Sequence, residues 1–220
     1  MLKRQLAVTG LLLTCLLSLG ASNAAASFQL NVPNPDVAGT GPYADVSVAL
    51  SNANKTATIT FDSDTNGGYL YLLGAQGAVA LNVNGAYTFG SATGTSEFNP
   101  GSLSNGGAAQ EDGFGNFNLT VDAFDGFTHS FTEVVVTITK ATGSWASATD
   151  VLTPNANGHL AAAHVLGCQT PCTSTEGAAF TGYASDPATV PEPRTLFSLA
   201  LGGLAIVGFA RRRARNIEQE

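Results

Sequence analysis

Positive charge is almost missing from the middle of this chain. Between residues 27 and 190 only Lys55 and Lys140 stand against thirteen acids, while the other seven basic residues crowd the two ends. A protein that grips nucleic acid through a basic face is excluded by that balance. Charge of either sign is scarce, at 11% of residues, where soluble domains carry about 25%. With 44% hydrophobic residues the chain is also too apolar for an acidic disordered tail. Long apolar runs occur only at the ends, which excludes a multi-span transporter. None of G-x-S-x-G, H-E-x-x-H or a glycine-rich phosphate loop is present, so no catalytic residue, metal set or cofactor is assigned. The expectation is a protein that is not an enzyme.

The N-terminus supplies what the middle lacks. Lys3 and Arg4 precede an apolar stretch, 6–19, and then a run of small residues ending in Ala24-Ala25-Ala26. A positive start, a leucine-rich stretch and short side chains before a cut make a secretory signal peptide over residues 1–26. Cleavage is expected between Ala26 and Ser27, with a cut after Ala24 the near alternative. The apolar run is shorter than the roughly 20 residues that span a bilayer. Cys15 lies inside it behind Leu12-Leu13-Thr14, without the small residue that lipid attachment needs. The Sec export machinery and signal peptidase are the implied partners.

The other end mirrors this arrangement. Eleven of the fifteen residues over 196–210 are apolar, and Arg211, Arg212, Arg213 and Arg215 follow directly. At 1.5 Å per residue this transmembrane helix reaches about 23 Å, short against a hydrocarbon core of about 30 Å. Arginines beside such a run stay cytoplasmic and stop transfer, which leaves the preceding domain outside the cytoplasm. Both ends thus give one orientation.

Val190-Pro191-Glu192-Pro193, a short Leu/Gly/Ala-rich helix and a terminal arginine cluster together resemble the PEP-CTERM sorting signal. The resemblance covers about the last thirty residues, with Pro191, Glu192 and Pro193 as the tripeptide. It implies a membrane-embedded exosortase of Gram-negative bacteria that recognises the tripeptide and cuts nearby. The protein would pass transiently through the inner membrane, with its domain in the periplasm, and reach the cell surface or exopolysaccharide matrix. Prolines on both sides of Glu192 remove backbone donors and hold the chain extended, a shape that a peptidase cleft can grip. Residues 186–215 are read as stalk plus sorting signal and 216–220 as a cytoplasmic tail.

Between these segments, Ser, Thr, Asn and Gly make up 67 of the 164 residues from 27 to 190. That composition suits either a linker or a turn-rich β domain, and periodicity decides. Val46, Val48 and Leu50 alternate with polar or small residues, as do Ala57, Ile59 and Phe61, then Phe117, Leu119, Val121 and Ala123. Period two repeated this often predicts half-buried strands. Denser runs at 69–73, 78–83 and 134–138 suit central strands. Asn52 to Lys55, Asn66-Gly67-Gly68 and Asp112-Gly113 read as turns, and Asn84-Gly85 as a tight hairpin. The segment 90–113 reads as a long loop. The expected fold is all-β: a single antiparallel β-sandwich domain over 27–185 with roughly eight to ten strands.

Few residues in this domain suggest chemistry. Cys168 and Cys172 are expected to form a disulfide, as cysteines outside the cytoplasm do, clasping a hairpin between 160–166 and 178–183. A zinc site with His159 and His164 lacks the C-x-x-C spacing. Asp62-Ser63-Asp64-Thr65-Asn66-Gly67 resembles the front of a calcium loop, but Leu73 stands where the bidentate Glu belongs, so a plain turn is preferred. His129 beside Asp125 and Ser130 reads as neighbouring polar residues on one surface turn rather than a triad. Trp145 is read as a core aromatic in preference to a sugar-stacking one. The expected role is structural or adhesive, in contact with exopolysaccharide, and calcium bridging would be one form of it. The alternatives are a secreted exopolysaccharide hydrolase and a permanently tail-anchored periplasmic binding protein.

Overall fold

The structure, a computed structural model, describes residues 25–188. The N-terminal apolar segment, the Pro191-Glu192-Pro193 tripeptide, the 196–210 helix and the arginine cluster lie outside the described residues. The domain is all-β. Its strands are β1 (Ala26–Leu30), β2 (Val32–Pro33), β3 (Ala44–Ser51), β4 (Thr56–Ser63), β5 (Thr65–Asn66), β6 (Tyr69–Leu73) and β7 (Val79–Leu81). They continue with β8 (Tyr87–Ser96), β9 (Leu103–Glu111), β10 (Gly115–Ala123), β11 (Phe131–Lys140), β12 (Ala161–Gln169) and β13 (Phe180–Ser185). Among the described residues, helix is limited to the 3-10 turns Phe127–His129 and Ala148–Asp150, and no helix is long and apolar enough to cross a membrane.

Alternation along the chain becomes rows across the sheet. Val46 faces Phe61, which faces Val134; Val48, Ile59 and Val136 form the next row, and Leu50, Ala57 and Ile138 the third. All nine are buried. The intervening residues carry the opposite face, so Ser47, Thr60, Val135 and Thr93 line up on the outside. One half of the hydrogen-bonded network therefore runs β1-β3-β4-β11-β8. The other runs β2-β13-β12, then β6 and β7 end to end, then β10 and β9. A single pair, Phe131 with Leu73, joins the halves. Inward residues of both halves share one core cluster, so the arrangement is sandwich-like, with every pairing antiparallel.

Three sequence expectations change. The segment 90–113 is mostly strand, because β8 pairs only with β11 and β9 only with β10. Edge positions need no large alternating side chains, and Gly94 lets the Phe131 ring press against its backbone, where an added Cβ would lie 2.6 Å from that ring. Asn84-Gly85 is not a hairpin: β7 belongs to one half and β8 to the other, so the turn crosses between them. Among the described residues the strands number thirteen: β2 and β5, two residues each, carry no periodic signal, and β8 and β9 lie largely in the segment read as a loop.

Cys168 and Cys172 are disulfide-bonded, with Cα atoms 5.4 Å apart. The bond lies where the chain leaves β12 for its neighbour β13, the clasp that the flanking apolar runs suggested. Its loop is short, so the chain-entropy contribution is about 2 kcal/mol. Reduction, or the double change Cys168→Ser with Cys172→Ser, is expected to lower the thermal midpoint by about 4–8 °C. An unchanged midpoint in calorimetry would show that the clasp adds nothing.

Candidate functional site

β6 and β7 are one strand interrupted. β6 pairs with 165–169 of β12 and β7 with 161–163 on the same edge, while residues 74–78 leave the sheet opposite His164. The sequence there is Gly74-Ala75-Gln76-Gly77-Ala78, too small in side chains to fill a continuous pleat. Ala75 and Gly77 both take positive φ, 61° and 65°. The excursion is stitched back by its own backbone: the Gly74 N–H donates to His164 O at 3.2 Å, and the His164 N–H reaches Gly77 O at 3.2 Å. Such strand irregularities re-aim side chains next to functional sites.

Four titratable side chains gather on this excursion. His164 Nδ1 lies 3.1 Å from Gln76 O and Nε2 lies 2.7 Å from Thr181 Oγ1. A carbonyl only accepts, so Nδ1 carries the proton and Nε2 accepts from the threonine. Burial lowers the His164 pKa and keeps the ring neutral. Tyr183 stacks on it at 4.5 Å between centroids and donates its hydroxyl to the same Gln76 carbonyl at 3.3 Å. Asp122 Oδ1 accepts the Gly77 N–H at 2.8 Å. Glu111, at the end of β9, is 2% exposed and rests on Gly77 itself. A Cβ there would lie 2.5 and 2.6 Å from its two oxygens and would push the carboxyl aside, and the positive φ strains any other residue at this position.

Two carboxyls thus meet at one glycine. Burial pushes Glu111 up to about 7 and the Asp122 charge adds to the rise, while a hydrogen bond with Tyr183 works against it. The Tyr183 hydroxyl is raised by burial and then by Glu111. Among the described residues no cation offsets them: the two lysines there sit together elsewhere, Lys140 donating its N–H to Lys55 O at 2.8 Å and holding its Nζ 5.2 Å from the Trp145 ring centroid.

The residues singled out in the sequence are scattered rather than assembled. Ala26 and Ser27 lie in β1, opposite Val48 and Ser47. Asp62 faces Asp45 on one side and Glu133 on the other, and burial, then these neighbours, raise its pKa. A flat sheet holds such side chains in parallel, and among the described residues no group of three His, Cys, Asp or Glu is placed to hold a metal ion. Leu73, the twelfth position of the calcium-like stretch, is core. His129 lies 3.4 Å from Asp125 and 3.2 Å from Thr128, while Ser130 gives its hydroxyl to Phe127 O instead. His159 gives its Nδ1 proton to Asp186 O at 2.8 Å, far in role from His164. Trp145 is core, 1% exposed.

Asp186 corrects the boundary at the C-terminal side. Read as the first stalk residue, it is buried, and its carboxylate accepts the N–H groups of Leu160 at 2.9 Å and Ala161 at 3.0 Å. The fold therefore reaches past 185. A shallow cleft of about 280 Å³ opens between β8 and β9 around Thr93, Ser102 and Phe131, and no titratable side chain lines it.

The chain matches no protein-family model, no curated protein and no solved structure. Function rests on the residues themselves. Glu111, Asp122, His164 and Tyr183 were not legible as a set. Their one local signal is the pair of glycines around Gln76, which breaks an apolar run.

Proposed function

We propose that this is an exported protein of the PEP-CTERM type, whose two-sheet β-sandwich has a structural or adhesive role at the cell surface or in the exopolysaccharide matrix. Signal peptidase releases it after Ala26, and an exosortase processes it at Pro191-Glu192-Pro193 while the 196–210 helix holds it in the inner membrane. What supports the reading is the sequence on both sides of the all-β domain: the positive start, apolar stretch and small residues before Ser27, and Pro191-Glu192-Pro193 with the apolar run and arginines behind it. Among the described residues β1 begins at Ala26, and Asp186, which the fold holds, lies five residues before Pro191 in the sequence.

The hydrolase reading needs two accessible carboxyls about 5–9.5 Å apart across a cleft. Glu111 and Asp122 meet, but Glu111 is sealed under the 74–78 excursion, and the cleft near Thr93 has no carboxyl at all. A non-catalytic role is preferred for that reason. Mass spectrometry of the mature protein from its native host is the test. A C-terminus within or beside residues 191–193 is expected; an intact Glu220 would defeat the processing and leave a tail-anchored protein.

A further inference from the structure

The outer face of the β3-β4-β11-β8 half is a field of hydroxyls. Its rows run across the strands. Next to the row of Ser47, Thr60, Val135 and Thr93, Thr58 and Thr137 line up with Ser91, and beyond them Thr56 and Thr139 line up with Thr88. None of these residues is buried, and among the described residues none of their hydroxyls has a hydrogen-bond partner. Strand propensity favours threonine, but it favours valine and aromatic residues equally; these rows hold one valine and no aromatic. The outer face of the other half is covered instead: Leu72 and Leu166 pack with Phe98 and Phe127, and Ala80 and Ala162 with Phe117.

Charge bounds what the open face can take. The three rows carry none, and the row bordering them sets Asp45, Asp62 and Glu133 side by side. That border repels a polyanion, while its carboxylates are strong acceptors for hydroxyl groups. We propose that this face binds a single extended, neutral, β-linked polysaccharide chain laid along the rows, across β3, β4, β11 and β8. Neighbouring strands stand about 4.8 Å apart, close to the advance of one pyranose ring in such a chain, so each strand offers a hydroxyl to each sugar. Threonine is stiff at χ1, which fixes those hydroxyls before the ligand arrives and lowers the ordering cost of binding. Adjacent strands turn by roughly 20–25°. A planar crystal face cannot follow that turn, whereas one chain follows it by rotating about its glycosidic bonds. A protein partner would need the aromatic and apolar anchors that interface centres carry, and the rows have none. Binding of this kind rests on the adhesive role proposed above and narrows its partner to one class of polymer.

Native electrophoresis of the protein purified from its native host tests this, in gels holding glucomannan, a linear neutral β-linked polymer, or alginate, a charged one. Retardation is expected in glucomannan and not in alginate. The double change Thr58→Val with Thr137→Val removes two hydroxyls while keeping shape and strand preference, and is expected to weaken the glucomannan affinity on the order of tenfold. If that variant fails to fold, Thr60→Val alone replaces it, with a loss of about fivefold expected. Retardation in alginate as strong as in glucomannan, or glucomannan binding unchanged in the valine variant, would overturn this face and leave the adhesive role standing. No retardation in either gel would overturn both.

Discussion

Trp145→Ala is expected to lower the free energy of unfolding by about 3–5 kcal/mol, the range for a fully buried large aromatic. This is the only tryptophan in the chain, and it joins three connections that otherwise have little in common. Its backbone N–H donates to Asn54 O at 3.0 Å, fixing the turn between β3 and β4. Its indole N–H donates to Asn84 O at 3.2 Å, fixing the crossing from β7 to β8. Lys140 lies over its ring at the end of β11. Truncation empties a large volume and leaves a carbonyl at the crossing without its donor, so cavity and hydrogen-bond losses add. Trp145→Phe keeps most of the apolar volume and is expected to lose about 1–2 kcal/mol. Urea unfolding followed by circular dichroism measures both. A loss under about 1 kcal/mol for the alanine variant would mean that the crossing is held elsewhere.

Glu111→Gln is expected to stabilise the domain at pH 8 by up to about 3 kcal/mol and to change little at pH 4. Glu111 is raised from its ordinary 4.5 to about 7 in the folded state. Between those values the folded domain holds a proton that the unfolded chain releases, so stability is full below about pH 4.5 and falls as pH rises through 7. At 1.36 kcal/mol per unit the difference comes to about 3 kcal/mol. Asp62, Asp64 and Asp186 are raised as well, so the wild-type slope has several sources. The difference between wild-type and variant curves isolates Glu111. Parallel curves from pH 4 to 8 would show that the carboxyl is not desolvated by the fold.

What the sequence disclosed depended on whether a residue's neighbours were local. Strands β3, β4 and β11 were legible because each buries one face, and Val46, Ile59 and Val136 announce that face at period two. Cys168 and Cys172 were legible because, with Cys15 far away in the N-terminal apolar stretch, each has the other as its one near partner. β8 and β9 were hidden by the very glycines and serines that fit an edge. Asn84-Gly85 misled because a tight turn can pass between sheets as well as within one. Glu111 carries no local pattern that sets it apart from the other acids of the chain. Its burial is imposed by Gly77, Asp122 and Tyr183, which are distant in the chain and carry no pattern pointing back to it.

Asp186 has a mechanical consequence. A pull on the chain at residue 187 first meets a carboxylate clipped to the Leu160 and Ala161 N–H groups, with its own carbonyl held by His159. The load passes into the start of β12, an interior strand flanked by β13 on one side and by β6 and β7 on the other. It does not begin by unzipping β13 one rung at a time. Force applied from the C-terminal side of the domain would thus meet a clamp at the point where the strain enters.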